Sequence, residues 1–236
     1  MTLKTNARLA GFMFLFYIAT GIAGMVLFGP ATGGDTTAAK LASVVQHATL
    51  VRLSAVYSLL MMMNPFVLGV ALYALTRDYD RDLALLALVC RVTEGVIAAV
   101  STVPTRALLS VATAAVGATG PDAAAANALG SVLLQVRGLT TLVSAMVFAI
   151  GSTLFSYLFL RARTIPVSLA WLGVLASILL VVGLPLQMAE FIHGLVTLLM
   201  WIPMAVFEVT FAIWLLVKGV APQATLRSEG NRHASN

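Results

Sequence analysis

The chain has 236 residues, of which 60% are hydrophobic and only 10% charged, with a mean hydropathy of +0.99. Soluble domains hold about 45–50% apolar and about 25% charged residues, so an ordinary soluble domain is excluded and a polytopic membrane protein is indicated. The net charge of +5 does not mark a nucleic-acid binder, because the 14 Lys and Arg stand singly or in pairs beside apolar runs, without a basic patch interleaved with aromatics.

In chain order, "MTLKTNAR" leads into an apolar run from Leu9 to Phe28. That run is longer than the roughly 7–15 residues of a signal-peptide core and ends in no A-x-A-like site, so it is expected to be a retained first span. The next stretch, "GGDTTAAKLASVVQHATLVRLSA", sets Leu41, Val44, Val45, Ala48 and Val51 at helical spacing behind Asp35 as the expected N-cap. It predicts an amphipathic helix before the second span, Leu53–Leu75, which Asn64-Pro65 should kink. The third span is Leu83–Val103. "TGPDAAAANALGSVLLQVRGL" then opens on Gly-Pro-Asp followed by good helix formers and should extend the fourth span, Leu139–Leu160, outward. Either the two outer segments together cap the outer face of the bundle, or they lie in the outer headgroup region. Val167–Leu186 and Leu195–Val217 complete six runs, each long enough for a ~30 Å hydrocarbon core. Between them Glu190 and His193, at i and i+3, read as an interfacial ion pair rather than a pH switch or metal ligand. The small residues of "ATGIAG" and "GVLAS" allow close helix approach. Residues 1–220 form one membrane domain on this reading, and 221–236 a polar, disordered tail.

The fold class is therefore all-α, a polytopic six-helix transmembrane bundle with helical outer segments before spans two and four. The basic residues orient it. Lys4, Arg8, Arg77, Arg81, Arg161, Arg163, Lys218, Arg227 and Arg232 fall on one side, and only Lys40, Arg52 and Arg106 on the other. The positive-inside rule then places both termini in the cytoplasm.

Arg91 and Glu94 stand in the middle of the third span. A charge at a helix centre costs roughly 2.5–3.5 kcal/mol on insertion scales, so such residues are functional by default. At ~1.5 Å per residue from each span's cytoplasmic end, Arg91, Glu94, Glu208, Tyr17, Ser152 and Thr153 lie roughly 12–16 Å deep, and Asn64 about 20 Å. Five of the six spans thus carry a polar group to mid-membrane, and Arg91 is expected to pair with Glu94 and Glu208. An Arg-x-x-Glu pair can equally be a packing clamp without chemistry. Arg137, about 36 Å from Arg161 on the same reckoning, falls near the outer interface and should snorkel there. The one cysteine, Cys90, and the scattered His47, His193 and His233 offer no disulfide, zinc or other metal spacing. There is no G-x-S-x-G, H-E-x-x-H, P-loop or G-x-G-x-x-G, hence no cofactor is expected.

"LALLALVCRVTEGVIAAVS", "GSTLFSYLFLRARTIPVSLAWLGVLA", "IPMAVFEVTFAIWLLVKGV" and the opening "ARLAGFMFLFYIATGIAG" together resemble bacterial membrane proteins of domain-of-unknown-function family 4386. The likeness covers nearly the whole chain. Its most specific elements are the Arg-x-x-Glu of the third span and the Glu ahead of "WLLVKG" in the last, here Arg91, Glu94 and Glu208. The connector departs from the family's S-x-x-I-P-x-x-L pattern: it appears here as Arg163-Thr164-Ile165-Pro166 and lacks the serine. The resemblance implies a helical bundle in the cytoplasmic membrane and no particular activity. Three functions follow from the polar layer: binding or transport of a small or amphipathic ligand, an accessory subunit whose polar cluster fixes packing, or an enzyme using Glu94 or Glu208 as acid or base. The expected partners are the lipid bilayer and a small-molecule or lipid ligand, with no nucleic acid.

Overall fold

The computed structural model describes residues 2–221. The expected polar tail lies, apart from Ala221, outside the described residues. Ala221 itself donates its N–H to the Thr164 carbonyl at 3.0 Å.

Among the described residues the chain is all-α, without a strand. α1 (Leu3–Phe28) runs into a 3-10 turn, Gly29–Thr32. Then follow α2 (Thr37–Gln46), α3 (Ala48–Met61), α4 (Met63–Thr76), α5 (Arg81–Val100), α6 (Thr102–Ala114), α7 (Gly120–Ala162), α8 (Val167–Met188), α9 (Leu195–Leu199) and α10 (Ile202–Val217). Six stretches are long and apolar enough to cross a membrane: Leu3–Thr32, Ala48–Thr76, Arg81–Ala114, Gly120–Ala162, Val167–Met188 and Leu195–Val217. Each contains one of the six expected runs. Large apolar side chains such as Met25, Leu60, Leu175 and Val217 are exposed, as suits helices whose solvent is lipid.

Proline sets where these stretches break. α3 ends at Met61, α5 at Val100 and α9 at Leu199, each four residues before Pro65, Pro104 or Pro203. Proline cannot donate to the carbonyl four residues back, and its ring crowds that carbonyl. The break at Pro104 was not expected from sequence, nor was the helix that follows it, α6. Pro185, near the end of α8, interrupts nothing.

The chain divides into two compact units. The first comprises residues up to Phe16, Pro65–Val92 and the chain from Met146. Within it α8 packs along α10. The approach is close, since a Cβ on Gly173 would meet the Phe207 ring and Ser156 Oγ at 2.6 Å. Phe211 is buried among Phe14, Phe159 and Phe207, with ring centroids 5.1–5.6 Å away. The connection into α5 is tied twice by Asp80, which accepts the Leu83 N–H at 3.1 Å and pairs with Arg161 at 3.4 Å. Beside it, burial and then the Asp78 charge raise the Tyr79 phenol above its ordinary pKa of 10.0. The expected Glu190–His193 ion pair does not form among the described residues. Glu190 stands in a turn at φ 60°, a left-handed conformation that breaks the helical i, i+3 geometry on which the expectation rested.

The second unit comprises Tyr17–Asn64 and Thr93–Ala145. Here α2 lays its apolar face, Leu41 and Val44, against α6. Leu108, Leu109 and Ala112 are buried with them, and Leu133 and Leu134 of α7 pack at the edge. α2 is therefore seated on protein. Its N-cap is Thr36 and not Asp35. Thr36 is extended (φ −115°, ψ 159°), and its Oγ1 accepts the Ala39 N–H at 3.1 Å, a reach for which Asp35 lies one residue too early. The segment from Gly120 does extend the fourth span, as one 43-residue helix.

Candidate functional site

α5 carries both charges of the third span, and both are buried, Arg91 2% and Glu94 3% exposed. Arg91 belongs to the first unit. Its Nη2 donates to Ser152 Oγ on α7 at 2.9 Å. The guanidinium carbon lies 4.6 Å from the Phe148 ring centroid and 6.0 Å from that of Phe14, so aromatic faces screen the cation that lipid would not. Two glycines let the neighbouring helices come near. A Cβ on Gly69 of α4 would lie 2.9 Å from Arg91 Cβ, and one on Gly151 of α7 would lie 2.9 Å from Cys90 Cβ. Glu208 sits on α10, buried at 7% exposure. Thr153, expected in the polar layer, is not brought to Arg91 by its hydroxyl. That group is bonded to its own helix, at the Ala149 carbonyl, 2.8 Å away, the usual fate of threonine inside a helix.

Glu94 belongs to the second unit. Its Oε1 accepts the Tyr17 hydroxyl at 3.0 Å, which joins α1 to α5. Ser144 of α7 donates to the Glu94 backbone carbonyl, also at 3.0 Å. Asn64 is buried in the first turn of α4. Of the residues singled out from sequence, the structure thus joins Arg91 with Ser152 and Glu94 with Tyr17, and buries Asn64 and Glu208. Phe148, Phe14 and Ser144 were missed. The aromatics look like core residues in sequence, and only their stacking over a cation distinguishes them.

A second feature was also missed. Within the second unit lies a cavity of about 190 Å³, lined by Ser54, Ser58, Ser101, Thr105, Arg137 and Thr141 among others. Arg137, placed near the outer interface from sequence, is one of the residues that line this cavity. The sequence signal was present as three polar pairs at i, i+4 on α3, at the α5–α6 junction and on α7.

In chemical terms, Arg91 supplies a permanent cation with donor N–H groups, and Glu94 and Glu208 supply carboxyl groups able to hold or release a proton. The family model described as "Domain of unknown function (DUF4386)" matches residues 9–219. No curated protein and no solved structure matches the chain.

Proposed function

The chain belongs to the DUF4386 family, and from that premise we propose that it binds or transports a small or amphipathic ligand at a mid-membrane site formed by Arg91, Glu94 and Glu208. Tyr17, Asn64, Ser152 and the more peripheral Thr153 complete its polar lining. It works as one six-span domain, residues 1–220, in the cytoplasmic membrane of a bacterium, with both termini inside, an orientation that the distribution of Lys and Arg supports. The observation that carries the reading is the burial of one cation and two acids in apolar spans. Membrane chains seldom keep such groups without a use for them.

The packing-clamp reading has its own support in Gly69 and Gly151, which draw α4 and α7 tightly onto α5 beside Arg91. One experiment separates the two. Native mass spectrometry of the protein released from mild detergent should show a retained small molecule. Arg91→Met/Glu94→Leu/Glu208→Leu should fold and lose it. A variant that folds and keeps the same adducts, or a wild-type protein that never carries any, leaves the clamp as the account of the site.

A further inference from the structure

We propose that the cavity of the second unit is a separate site for a phosphate-ester head group that carries N–H or O–H donors near its phosphate. Arg137 is its anion contact. The guanidinium is half-buried at the cavity wall, and among the described residues no hydrogen bond or ion pair engages it. Its planar fork of donors matches phosphate oxygens two at a time. A snorkelling arginine would need only an exit to water along an apolar wall. This one faces hydroxyls from three directions.

The hydroxyls decide what else the ligand must bring. Ser54 donates to the Val51 carbonyl at 2.8 Å, Ser58 to Ser54 at 2.9 Å and Ser101 to Ala98 at 2.6 Å. Thr105 donates to the Ser101 carbonyl at 3.2 Å and Thr141 to Arg137 at 3.0 Å. A hydroxyl that donates to its own helix keeps its lone pairs for an incoming donor. The cavity therefore offers one cation and several acceptors. An ethanolamine or glycerol phosphate meets both, whereas phosphocholine has no N–H or O–H to give.

Size and level agree. A cavity of about 190 Å³ is smaller than the roughly 300–1,000 Å³ of drug-sized ligand sites, and takes a head group without acyl chains. Along α7, Arg137 lies about 36 Å from Arg161 at ~1.5 Å per residue, more than the ~30 Å hydrocarbon thickness, which puts it at headgroup level. The ester can be the head of a membrane lipid or a free phosphate ester.

The test uses delipidated full-length protein in detergent and native mass spectrometry. The lipid probes are dioleoyl phosphatidylethanolamine, phosphatidylglycerol and phosphatidylcholine. The soluble probes are phosphoethanolamine and glycerol 3-phosphate. Retention of the ethanolamine or glycerol lipid at least about 10-fold above the choline lipid is expected if the source is lipid. Binding of the soluble esters with no such lipid preference is expected if the source is free. In either arm Arg137→Gln should lose the binding and Arg137→Lys should recover part of it. Thr141→Val, which removes an acceptor and no charge, should narrow the preference over choline and guards against a misfolded Arg137→Gln. Equal retention of all three lipids without ester binding, no binding of any probe, or binding unchanged in Arg137→Gln would overturn the proposal.

Discussion

Ser152→Ala isolates one bond of the buried cation. The hydroxyl accepts from Arg91 Nη2 at 2.9 Å, between two residues that are both buried. A hydrogen bond to a charged group contributes about 1.5–3 kcal/mol in soluble proteins. Between membrane helices the measured average is only about 0.6 kcal/mol, with a maximum of about 1.7. The coupling between Arg91 and Ser152 should therefore be about 1 kcal/mol. Arg91→Met removes more, because the cation over Phe148 at 4.6 Å is lost as well. A desolvated cation–π contact adds about 2 kcal/mol. If Arg91 also balances Glu94 and Glu208, the single variant should lose about 3–5 kcal/mol in total, the usual cost of breaking a buried charge cluster. The assay is a double-mutant cycle in mixed micelles, unfolding the protein with SDS and following far-UV circular dichroism. Thr153 supplies the control, being adjacent in sequence but bonded to Ala149. A cycle with Thr153→Val should close to within about 0.3–0.5 kcal/mol. If Ser152 couples to Arg91 no more strongly than Thr153 does, the reasoning about this bond is wrong.

The remaining predictions concern topology, packing and pH. On a Cys90→Ala background, cysteines at Ala38 and Ala124 should react with an impermeant thiol reagent applied to intact cells, while one at Arg81 should not; labelling at Arg81 would reverse the assigned orientation. Gly173→Ala should destabilise by about 1–3 kcal/mol in the same SDS assay, because its Cβ would meet Phe207 and Ser156 at 2.6 Å. Gly21→Ala, with nothing within 4 Å, should be neutral or gain up to about 1 kcal/mol, and equal losses at the two sites would contradict the packing described. Tyr79 holds its proton more tightly folded than unfolded, so its contribution is intact below pH 10 and is lost as pH rises through the raised folded value. Tyr79→Phe should flatten the fall in stability above pH 10, and an unchanged alkaline profile would speak against that assignment.

Much of the fold is legible because lipid imposes a length and a composition on every span. Pro65 announced its break, whereas Pro104 was hidden in "TVPTRALLS", whose Arg106 and threonines read as a connection. Its amphipathic face, Leu108, Leu109 and Ala112, has meaning only once α2 is packed against it. Asp35 and Thr36 are both good caps, and the backbone conformation chose between them. The charged residues of the site stood out because charges are rare in apolar runs. Ser152 and Thr153 did not separate, since depth along a helix carries no information about direction around it. Arg137 and its hydroxyl neighbours stayed hidden for a similar reason. Serine and threonine that bond back to their own helix look like background until three helices turn them to one cavity.

The central claim is that Arg91 and Glu208 share one site. Solid-state NMR dipolar recoupling, on protein in lipid with ¹⁵N-guanidino arginine and ¹³C-carboxyl glutamate, measures this most directly. Comparison of the wild type with Glu208→Gln assigns the signal. A Glu208-dependent contact of about 4 Å to the Arg91 guanidinium, the reach of an ion pair, is the result the account predicts. A separation beyond ~10 Å, too long for a direct or single-water bridge, would contradict it.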